Sequence, residues 1–225
     1  MNKIKIILAT ILLSGCVGED FIDDRVDERV EIANPISELK VGDTYQFNAR
    51  FFNNVGKIDE ATFEWQSSGP DIISVDGNGL ATGLSEGNVI ISVSVPEVAG
   101  LKYELPVMAG AETVVMENPN ERSGTIQTTS SYTLEGDFTI VKTEEGLELQ
   151  LASNYKASTA LPGLYVYLTN NPATVNGAYE IGEVKVFSGA NTMAIGGSVG
   201  IMDYAYLLYF CKPFNVKVGH GEIGN

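Results

Sequence analysis

The fold class is set by residues 73–95, which read ISVDGNGLATGLSEGNVIISVSV. From Val89 to Val95 every second residue is apolar, as in a strand that buries one face. Asp76-Gly77-Asn78-Gly79 and Thr82-Gly83 supply the turn residues that bound such strands. Similar short runs recur along the chain, and no stretch of about 11 residues keeps a helical period. The sequence therefore predicts an all-β protein with two consecutive β-sandwich-like domains.

The first block of strands, residues 32–108, resembles the group-two bacterial immunoglobulin-like (Ig-like) domain. The matching pieces are Leu39-Lys40-Val41-Gly42-Asp43-Thr44, Phe63-Glu64-Trp65-Gln66-Ser67-Ser68, Ile73-Ser74-Val75-Asp76-Gly77-Asn78-Gly79-Leu80-Ala81-Thr82-Gly83-Leu84 and Gly87. The resemblance implies a two-sheet sandwich in which the large ring of Trp65 fills the space between the sheets.

The N-terminus, residues 1–15, has the order of a secretory signal peptide. Lys3 and Lys5 precede an apolar run that is far shorter than the roughly 20 residues of a membrane-spanning helix. The run ends in Leu13-Ser14-Gly15-Cys16, which resembles a bacterial lipobox. The resemblance implies cleavage before Cys16, acylation of its thiol by a fatty acid such as palmitate, and a lipid anchor in the outer membrane.

Residues 16–31 are rich in acids and are predicted to form a solvated tether. Acidic residues directly behind a lipidated cysteine also resemble surface-export signals of some Gram-negative lipoproteins, which implies display outside the cell envelope. Without residues 1–15 the chain keeps 12 basic and 29 acidic residues, a net charge of −17. Such a surface repels nucleic acid. The expected partners are the membrane, through the lipid anchor, and a cell-surface protein or glycan that the sequence does not identify.

The chain contains one histidine, His220. Zinc sites with two or three histidines and bis-histidine haem therefore cannot be built, and the sequence predicts no metal site. No histidine lies near a serine elbow, and Glu144-Glu145 is predicted to form a hairpin turn rather than a catalytic pair. These observations favour a non-enzymatic protein.

The second block, residues 124–225, follows a stretch of turn formers and charged residues, 109–123, that is predicted to be a linker. This block resembles the electron-transfer DM-thirteen domain family. The supporting pieces are Gly124-Thr125-Ile126, Leu147-Glu148-Leu149, Pro162-Gly163-Leu164-Tyr165-Val166-Tyr167-Leu168, Tyr179-Glu180-Ile181-Gly182 and the closing run from Tyr204 to Ile223 around Cys211-Lys212-Pro213-Phe214. The resemblance implies redox chemistry at the cell surface through Cys211, as a bare thiol or as the ligand of a prosthetic group.

Cys211 has no disulfide partner if Cys16 carries lipid, and a leftover cysteine in an exported protein needs an explanation. In a strand from Tyr204 to Cys211, Tyr209 and Cys211 share one face. Both faces are apolar, so the strand is predicted to be central and covered on both sides. Pro213 cannot donate to a ladder and must interrupt pairing. Cys211 is therefore expected at the end of a buried strand, where side chains are often partly reachable.

Two roles stay open for Cys211. It is either a small buried hydrophobe, or a redox thiol or ligand whose pKa Lys212 and Lys217 lower. No cofactor is assigned. If a haem bound here, Cys211 would supply a thiolate, and the candidates for the second ligand would be His220, Met193 and Met202.

The main hypothesis is thus a membrane-anchored lipoprotein whose C-terminal domain transfers electrons through Cys211, with Tyr209, Lys212, Pro213 and His220 as weaker candidate residues near it. The alternative is a surface adhesion or ligand-binding lipoprotein in which Cys211 is a buried structural residue. The two hypotheses differ in whether the thiol reacts in the folded protein.

Overall fold

The computed structural model describes residues 24–224. Cys16, the predicted lipidation site, lies outside this range. The described residues form 20 β-strands and a single turn of 3-10 helix. None of them forms a helix long and apolar enough to cross a lipid bilayer.

The strands are numbered in chain order. They are β1 Arg29–Ile32, β2 Ile36–Lys40, β3 Thr44–Gln46, β4 Ala49–Phe52, β5 Ile58–Asp59, β6 Glu64–Ser67, β7 Ile73–Val75, β8 Leu80–Gly83, β9 Gly87–Ser94, β10 Lys102–Gly110, β11 Val114–Val115, β12 Glu121–Thr128, β13 Leu134–Thr143, β14 Gly146–Leu151, β15 Lys156–Ala157, β16 Leu164–Thr169, β17 Tyr179–Glu183, β18 Asn191–Ile195, β19 Tyr206–Cys211 and β20 Val216–Glu222, with the 3-10 turn at Lys212–Phe214.

Strands β1 to β11 build the first half of the molecule as a sandwich. One sheet has the order β11-β2-β10-β9-β6, and the sheets β1-β4-β5 and β3-β8-β7 share its core. Along β9, Val89, Ile91 and Val93 are buried while Ile90 faces solvent. The alternation read from the sequence therefore describes the faces of this strand correctly, because side chains of a strand point to opposite faces in turn.

The turn at Asp76-Gly77-Asn78-Gly79 joins β7 to β8 as predicted. The Asp76 carboxylate accepts hydrogen bonds from the backbone N–H groups of Asn78 at 2.8 Å and Leu80 at 2.9 Å. Gly79 has a φ of +84° and leaves room for the ring of Trp65, whose Cε2 would lie 2.9 Å from a Cβ at this position. Trp65 stacks on Phe47 with 5.8 Å between ring centroids. Trp65 itself is half-buried on the edge strand β6 and packs against the core rather than filling its centre.

Strands β12 to β20 build the second half from one rolled sheet with the order β17-β16-β19-β20-β12-β13-β14-β18, to which β15 adds by pairing with β13. Neighbouring strands are antiparallel throughout. A single apolar core lies inside the roll. The all-β prediction is confirmed. In this half one curled sheet, rather than two separate sheets, supplies both walls of the core.

The connection between the two halves is shorter than the predicted linker, residues 109–123. Strand β10 extends to Gly110, β11 pairs with β2, and β12 begins at Glu121. Only residues 116–120 lie outside strands between β11 and β12. The assignment of residues 32–108 and 124–225 to separate domains stays a prediction.

Side-chain contacts join the two halves away from this connection. Arg50 of β4 forms ion pairs with Asp203 at 2.8 Å and with Glu31 at 2.7 Å. Arg29 of β1 donates a hydrogen bond to the Asn170 side chain at 2.9 Å. We call this set of contacts the junction. It fixes the first half, strands β1 to β11, against the loops that follow β16 and precede β19.

Candidate functional site

Cys211 is the last residue of β19 and lies inside the rolled sheet. In the ladder it stands opposite Leu164 of β16 and Val216 of β20. Its side chain is fully buried, and Sγ donates a hydrogen bond to the Pro162 carbonyl at 3.3 Å. The prediction that β19 is central and covered on both faces is confirmed. The expectation of a partly reachable side chain is wrong for this structure, because Cys211 lies within the apolar core of the rolled sheet.

The segment after Cys211 ends the strand as the sequence predicted. Pro213 lies in the 3-10 turn, and Asn215 adopts a left-handed conformation with a φ of +53°. The Lys212 backbone N–H donates to the Gly163 carbonyl at 3.1 Å. A Cβ at Gly163 would lie 2.9 Å from the Pro213 ring, and the φ of Gly163 is +68°. Glycine at this position therefore lets the 3-10 turn pack tightly against the segment that precedes β16.

Lys212 does not approach Cys211. Its Nζ pairs with the Glu180 carboxylate at 2.8 Å and lies 4.6 Å from the centre of the Tyr165 ring. The hydrogen bond from Lys212 lowers the pKa of Glu180, and the same bond raises the pKa of Lys212. The Tyr167 hydroxyl also donates to Glu180, at 3.0 Å. These groups lie on the outer face of the sheet, opposite to the thiol.

The second predicted activating lysine, Lys217, is also on the outer face. It stands opposite Phe210 in the β19–β20 ladder, and directly opposed residues share a face. Burial lowers the pKa of Lys217. The structure therefore places both predicted lysines on the side of the sheet away from Cys211.

His220 is half-buried and stands opposite Leu208, whose side chain is on the outer face. Its ring meets Tyr206 edge-on at 5.9 Å, and its Nδ1 is buried without a hydrogen-bond partner. Burial, and then the nearby charge of Lys217, lower the pKa of His220. The sheet separates His220 from Cys211, so the two side chains cannot bind one metal ion together.

The other candidate ligands of a haem or metal are Met193 and Met202, which pack partly buried against the core of the rolled sheet. Within residues 24–224, no group of three or more histidine, cysteine, aspartate or glutamate residues is placed to hold a metal ion. Among the described residues, Cys211 therefore belongs to no such group.

Tyr209 is the sequence-predicted residue that shares the inner face with Cys211, and the structure places a second tyrosine beside it. The rings of Tyr209 and Tyr155 are 6.2 Å apart, and both side chains are fully buried. Apart from each other, neither hydroxyl has a hydrogen-bond partner among the described residues. Burial raises the pKa of Tyr155 to about 12 and also raises the pKa of Tyr209 well above its ordinary value.

Sequence reasoning missed Tyr155. It follows Asn154 in a turn between β14 and β15, where a tyrosine is ordinarily a surface residue. Its ring enters the core because the backbone is held from both sides. Its N–H donates to Ala152, and its carbonyl accepts from Gly189 at 2.9 Å. No local sequence pattern predicts the contact with Gly189, which is distant in the chain.

Comparison with known proteins identifies part of the chain. Residues 28–103 match the family model of the bacterial Ig-like domain (group 2), which confirms the resemblance predicted for this half. No curated protein matches the chain. The resemblance of residues 124–225 to DM-thirteen domains has no support from these comparisons and stays a prediction.

Among solved structures, the chain is similar to domains 4 and 5 of the S-layer protein SbsC, with 13% identity and a TM-score of 0.30 over 87% of this chain and 96% of that one. It is also similar to a structure of SbsC domains 1–6, with 10% identity and a TM-score of 0.29, covering 89% of this chain and 40% of that chain. Scores this low support no inference about fold or function.

Proposed function

We propose that the protein is a surface-displayed binding or adhesion lipoprotein of the cell envelope, in which Cys211 is a packing residue. The observation that carries this proposal is the burial of Cys211, whose Sγ is bonded to the Pro162 carbonyl. A redox thiol must form a thiolate and meet its partner, which requires access and usually a nearby positive charge. The Cys211 thiol is inaccessible, and both neighbouring lysines lie across the sheet.

The shape of the molecule supports a role in display. The Ig-like half is attached through the ion pair of Arg50 with Asp203 and the hydrogen bond of Arg29 with Asn170. These contacts meet the rolled sheet at the end of β16 and the start of β19. The opposite strand ends, around Leu164 and Cys211, are therefore turned away from the Ig-like half. We call this end of the rolled sheet the distal end, and it is free to meet a partner.

The anchor in this proposal is lipid on Cys16, with the protein held at the outer membrane and facing outward. Cys16 precedes Asp24 by eight residues, which span at most about 29 Å when fully extended. The Asp24 carbonyl accepts a hydrogen bond from the Asn171 side chain near the junction. The lipid would therefore hold the junction close to the membrane, with the distal end and the sandwich extending from it.

We expect the Cys211 thiol to be inert in the folded protein. N-ethylmaleimide at neutral pH should label less than a few per cent of the native protein and all of it in guanidinium chloride, because labelling of a buried thiol needs the strand to open. Intact-protein mass spectrometry measures the labelled fraction. Cys211→Ala should fold and lose the denatured-state label, which assigns the signal. Rapid labelling of the native protein would contradict the proposal and restore the electron-transfer hypothesis.

We expect Cys16→Ser to release the protein from the membrane fraction, because the lipid is its attachment. Immunoblots of fractionated cells measure the distribution, and a protease added to intact cells should remove the wild-type protein. The matched control is Ser14→Ala, which leaves the acylated cysteine in place and should stay in the membrane fraction. Retention of Cys16→Ser in the membrane with an unchanged mature mass would contradict the lipid anchor.

A further inference from the structure

The turn between β19 and β20 exposes apolar side chains at the distal end. All residues from 212 to 216 are exposed. Phe214 is 64% exposed, the largest fraction of any large apolar side chain in the described part of the chain, and Val216 is 42% exposed. Lys212 and Lys217 flank these two residues. We call residues 212–217 the distal turn. Exposed aromatic residues of this kind are enriched where proteins contact a partner.

The backbone of the distal turn is held in place without a partner. The Lys212 N–H donates to the Gly163 carbonyl at 3.1 Å, and the Asn215 N–H donates to the Lys212 carbonyl at 3.3 Å. Pro213 fixes its own φ. The turn therefore presents Phe214 in a set position, and binding would not lose the entropy of ordering this segment.

The distal turn also differs in charge from most of the chain. Without residues 1–15 the chain carries 12 basic and 29 acidic residues, whereas the turn contains two lysines and no acid. Lys212 pairs with Glu180, but both side chains are exposed, and such a pair contributes at most about 1 kcal/mol. No ion pair of residues 24–224 includes Lys217. The matching partner surface is apolar and rimmed by carboxylates.

A groove in the first half of the molecule has these properties. Its volume is about 610 Å³, within the range of pockets that bury a whole ligand. Apolar side chains and three carboxylates line it, and they include Phe51, Val95, Val98, Glu28, Glu60 and Glu97. Among the described residues these carboxylates form no ion pair. We call this surface the acidic groove.

The distal turn lies far from the acidic groove of its own chain. Phe51 in the groove follows the junction residue Arg50. Strand β19 begins at Tyr206 beside the junction, where Tyr206 pairs with Thr169. The six residues of this strand carry the turn about 20 Å away from the junction. The groove that can receive the turn therefore belongs to another molecule.

We propose that the protein binds a second copy of itself head to tail. Phe214 of one copy enters the acidic groove of the next, and Lys212 and Lys217 face the carboxylates of that groove. Because the two surfaces differ, a bound pair keeps one free surface of each kind and can add further copies. The proposal rests on the proposed function, since it names the partner of the displayed distal end.

The test measures self-association of the full chain carrying Cys16→Ser, so that lipid does not drive assembly. In sedimentation velocity experiments, the mean sedimentation coefficient should rise with protein concentration and pass the value of a dimer. About 1 M sodium chloride should weaken the association several-fold, because it screens charges beyond about 3 Å. A monomer at all concentrations up to millimolar would overturn the proposal.

The apolar contact is tested at Phe214. Phe214→Ser should weaken self-association at least about tenfold, as expected for an aromatic side chain at the centre of an interface. Leu84→Ser is the matched control, because Leu84 is also apolar and 51% exposed but belongs to neither surface. It should associate as the wild type does. Equal weakening by the two variants would contradict a specific role of the distal turn.

The charged contact is tested in the acidic groove. The double variant Glu60→Lys/Glu97→Lys should also weaken self-association at least about tenfold, since lysines would then face lysines. The control is Glu144→Lys/Glu145→Lys, which changes the net charge equally at exposed residues of the β13–β14 turn. It should associate at least as strongly as the wild type, because it lowers the general repulsion between acidic molecules. Weakening by this control would overturn the proposal.

Mixing the two weakened proteins tests the head-to-tail arrangement. Phe214→Ser keeps an intact groove, and Glu60→Lys/Glu97→Lys keeps an intact distal turn. Their mixture should form a complex with one copy of each and nothing larger. Both proteins should unfold in urea at the wild-type midpoint, because the altered side chains are exposed. A mixture that stays monomeric would overturn the proposal.

The two proposals fail separately. A protein that stays monomeric overturns self-association and leaves the Cys211 labelling and cell fractionation results as they are. Native labelling of Cys211 overturns the proposed function, while self-association through Phe214 stands.

Discussion

Arg122→Met should lower the free energy of unfolding of the rolled sheet by about 3 kcal/mol, because it leaves buried carbonyls without donors. Arg122 of β12 is 9% exposed. Its guanidinium donates to the carbonyls of Ile201 at 3.2 Å, Tyr204 at 3.1 Å and Ile223. Burial lowers its pKa. Methionine fills a similar volume but donates to none of the three carbonyls.

The change in the free energy of unfolding should be measured by urea unfolding. Near-ultraviolet circular dichroism of the tyrosines reports on the rolled sheet. Fluorescence of Trp65, the one tryptophan of the chain, reports on the Ig-like half. Lys142→Met is the control, since Lys142 is exposed and contacts one carbonyl, and should change stability by less than about 0.5 kcal/mol. Arg122→Lys should recover part of the loss. An unchanged midpoint in Arg122→Met would contradict the role of the guanidinium.

Arg122 also supports the loop through which the rolled sheet contacts the Ig-like half at the junction. Two of the carbonyls that it holds belong to the loop containing Asp203, and Asp203 pairs with Arg50 of the Ig-like half. Without Arg122 the loop loses its support, so the ion pair across the junction should weaken as well. Faster cleavage within residues 116–120 in limited proteolysis would report this loosening.

The features that the sequence predicts well depend on residues that are close together in the chain. The alternation at Val89–Val95 and the two faces of the strand ending at Cys211 depend only on the two-residue period of a strand. The strand ends near Pro213, because proline has no backbone N–H to donate to a neighbouring strand. The Ig-like resemblance likewise depends on short pieces whose order and spacing are visible in the chain.

What the sequence does not predict depends on contacts between distant residues. The hydrogen-bond partner of the Cys211 thiol is Pro162, 49 residues away, and the partner of Lys212 is Glu180, 32 residues away. The partners of Arg122 are still more distant, at separations of 79 to 101 residues. These residues come together because the sheet curls into a roll. The two-residue period within a single strand does not predict that curvature.

The curvature of the rolled sheet depends on the close approach of the backbones of β12 and β20. Gly124 of β12 stands opposite Phe138 of β13. A Cβ at Gly124 would lie 2.0 Å from the Glu222 carbonyl oxygen and 2.7 Å from the Phe138 ring. A Cβ at Gly221 would also lie 2.7 Å from that ring. The two glycines therefore make room for the Phe138 ring between β12 and β20.

Gly124→Ala should accordingly destabilise the rolled sheet by about 3 kcal/mol, at the upper end of the cost of overpacking. Gly124 has no positive φ, so the cost comes from the methyl group and not from backbone strain. The Glu222 carbonyl is part of the backbone and cannot rotate away, so β12 and β20 must separate. Urea unfolding followed by tyrosine circular dichroism measures the loss of stability of the rolled sheet. Trp65 fluorescence should show that the Ig-like half unfolds at an unchanged urea midpoint.

Gly77→Ala is the matched control, because a Cβ there meets nothing within 4 Å and Gly77 also has no positive φ. Alanine at such a position restricts the unfolded chain and should stabilise the protein by about 0.4–1 kcal/mol. Adding Phe138→Leu to Gly124→Ala relieves the ring contact but leaves the clash with the Glu222 carbonyl. The double variant should therefore stay less stable than Phe138→Leu alone. Equal stability of those two proteins would show that the ring, and not the approach of the two backbones, makes glycine necessary at position 124.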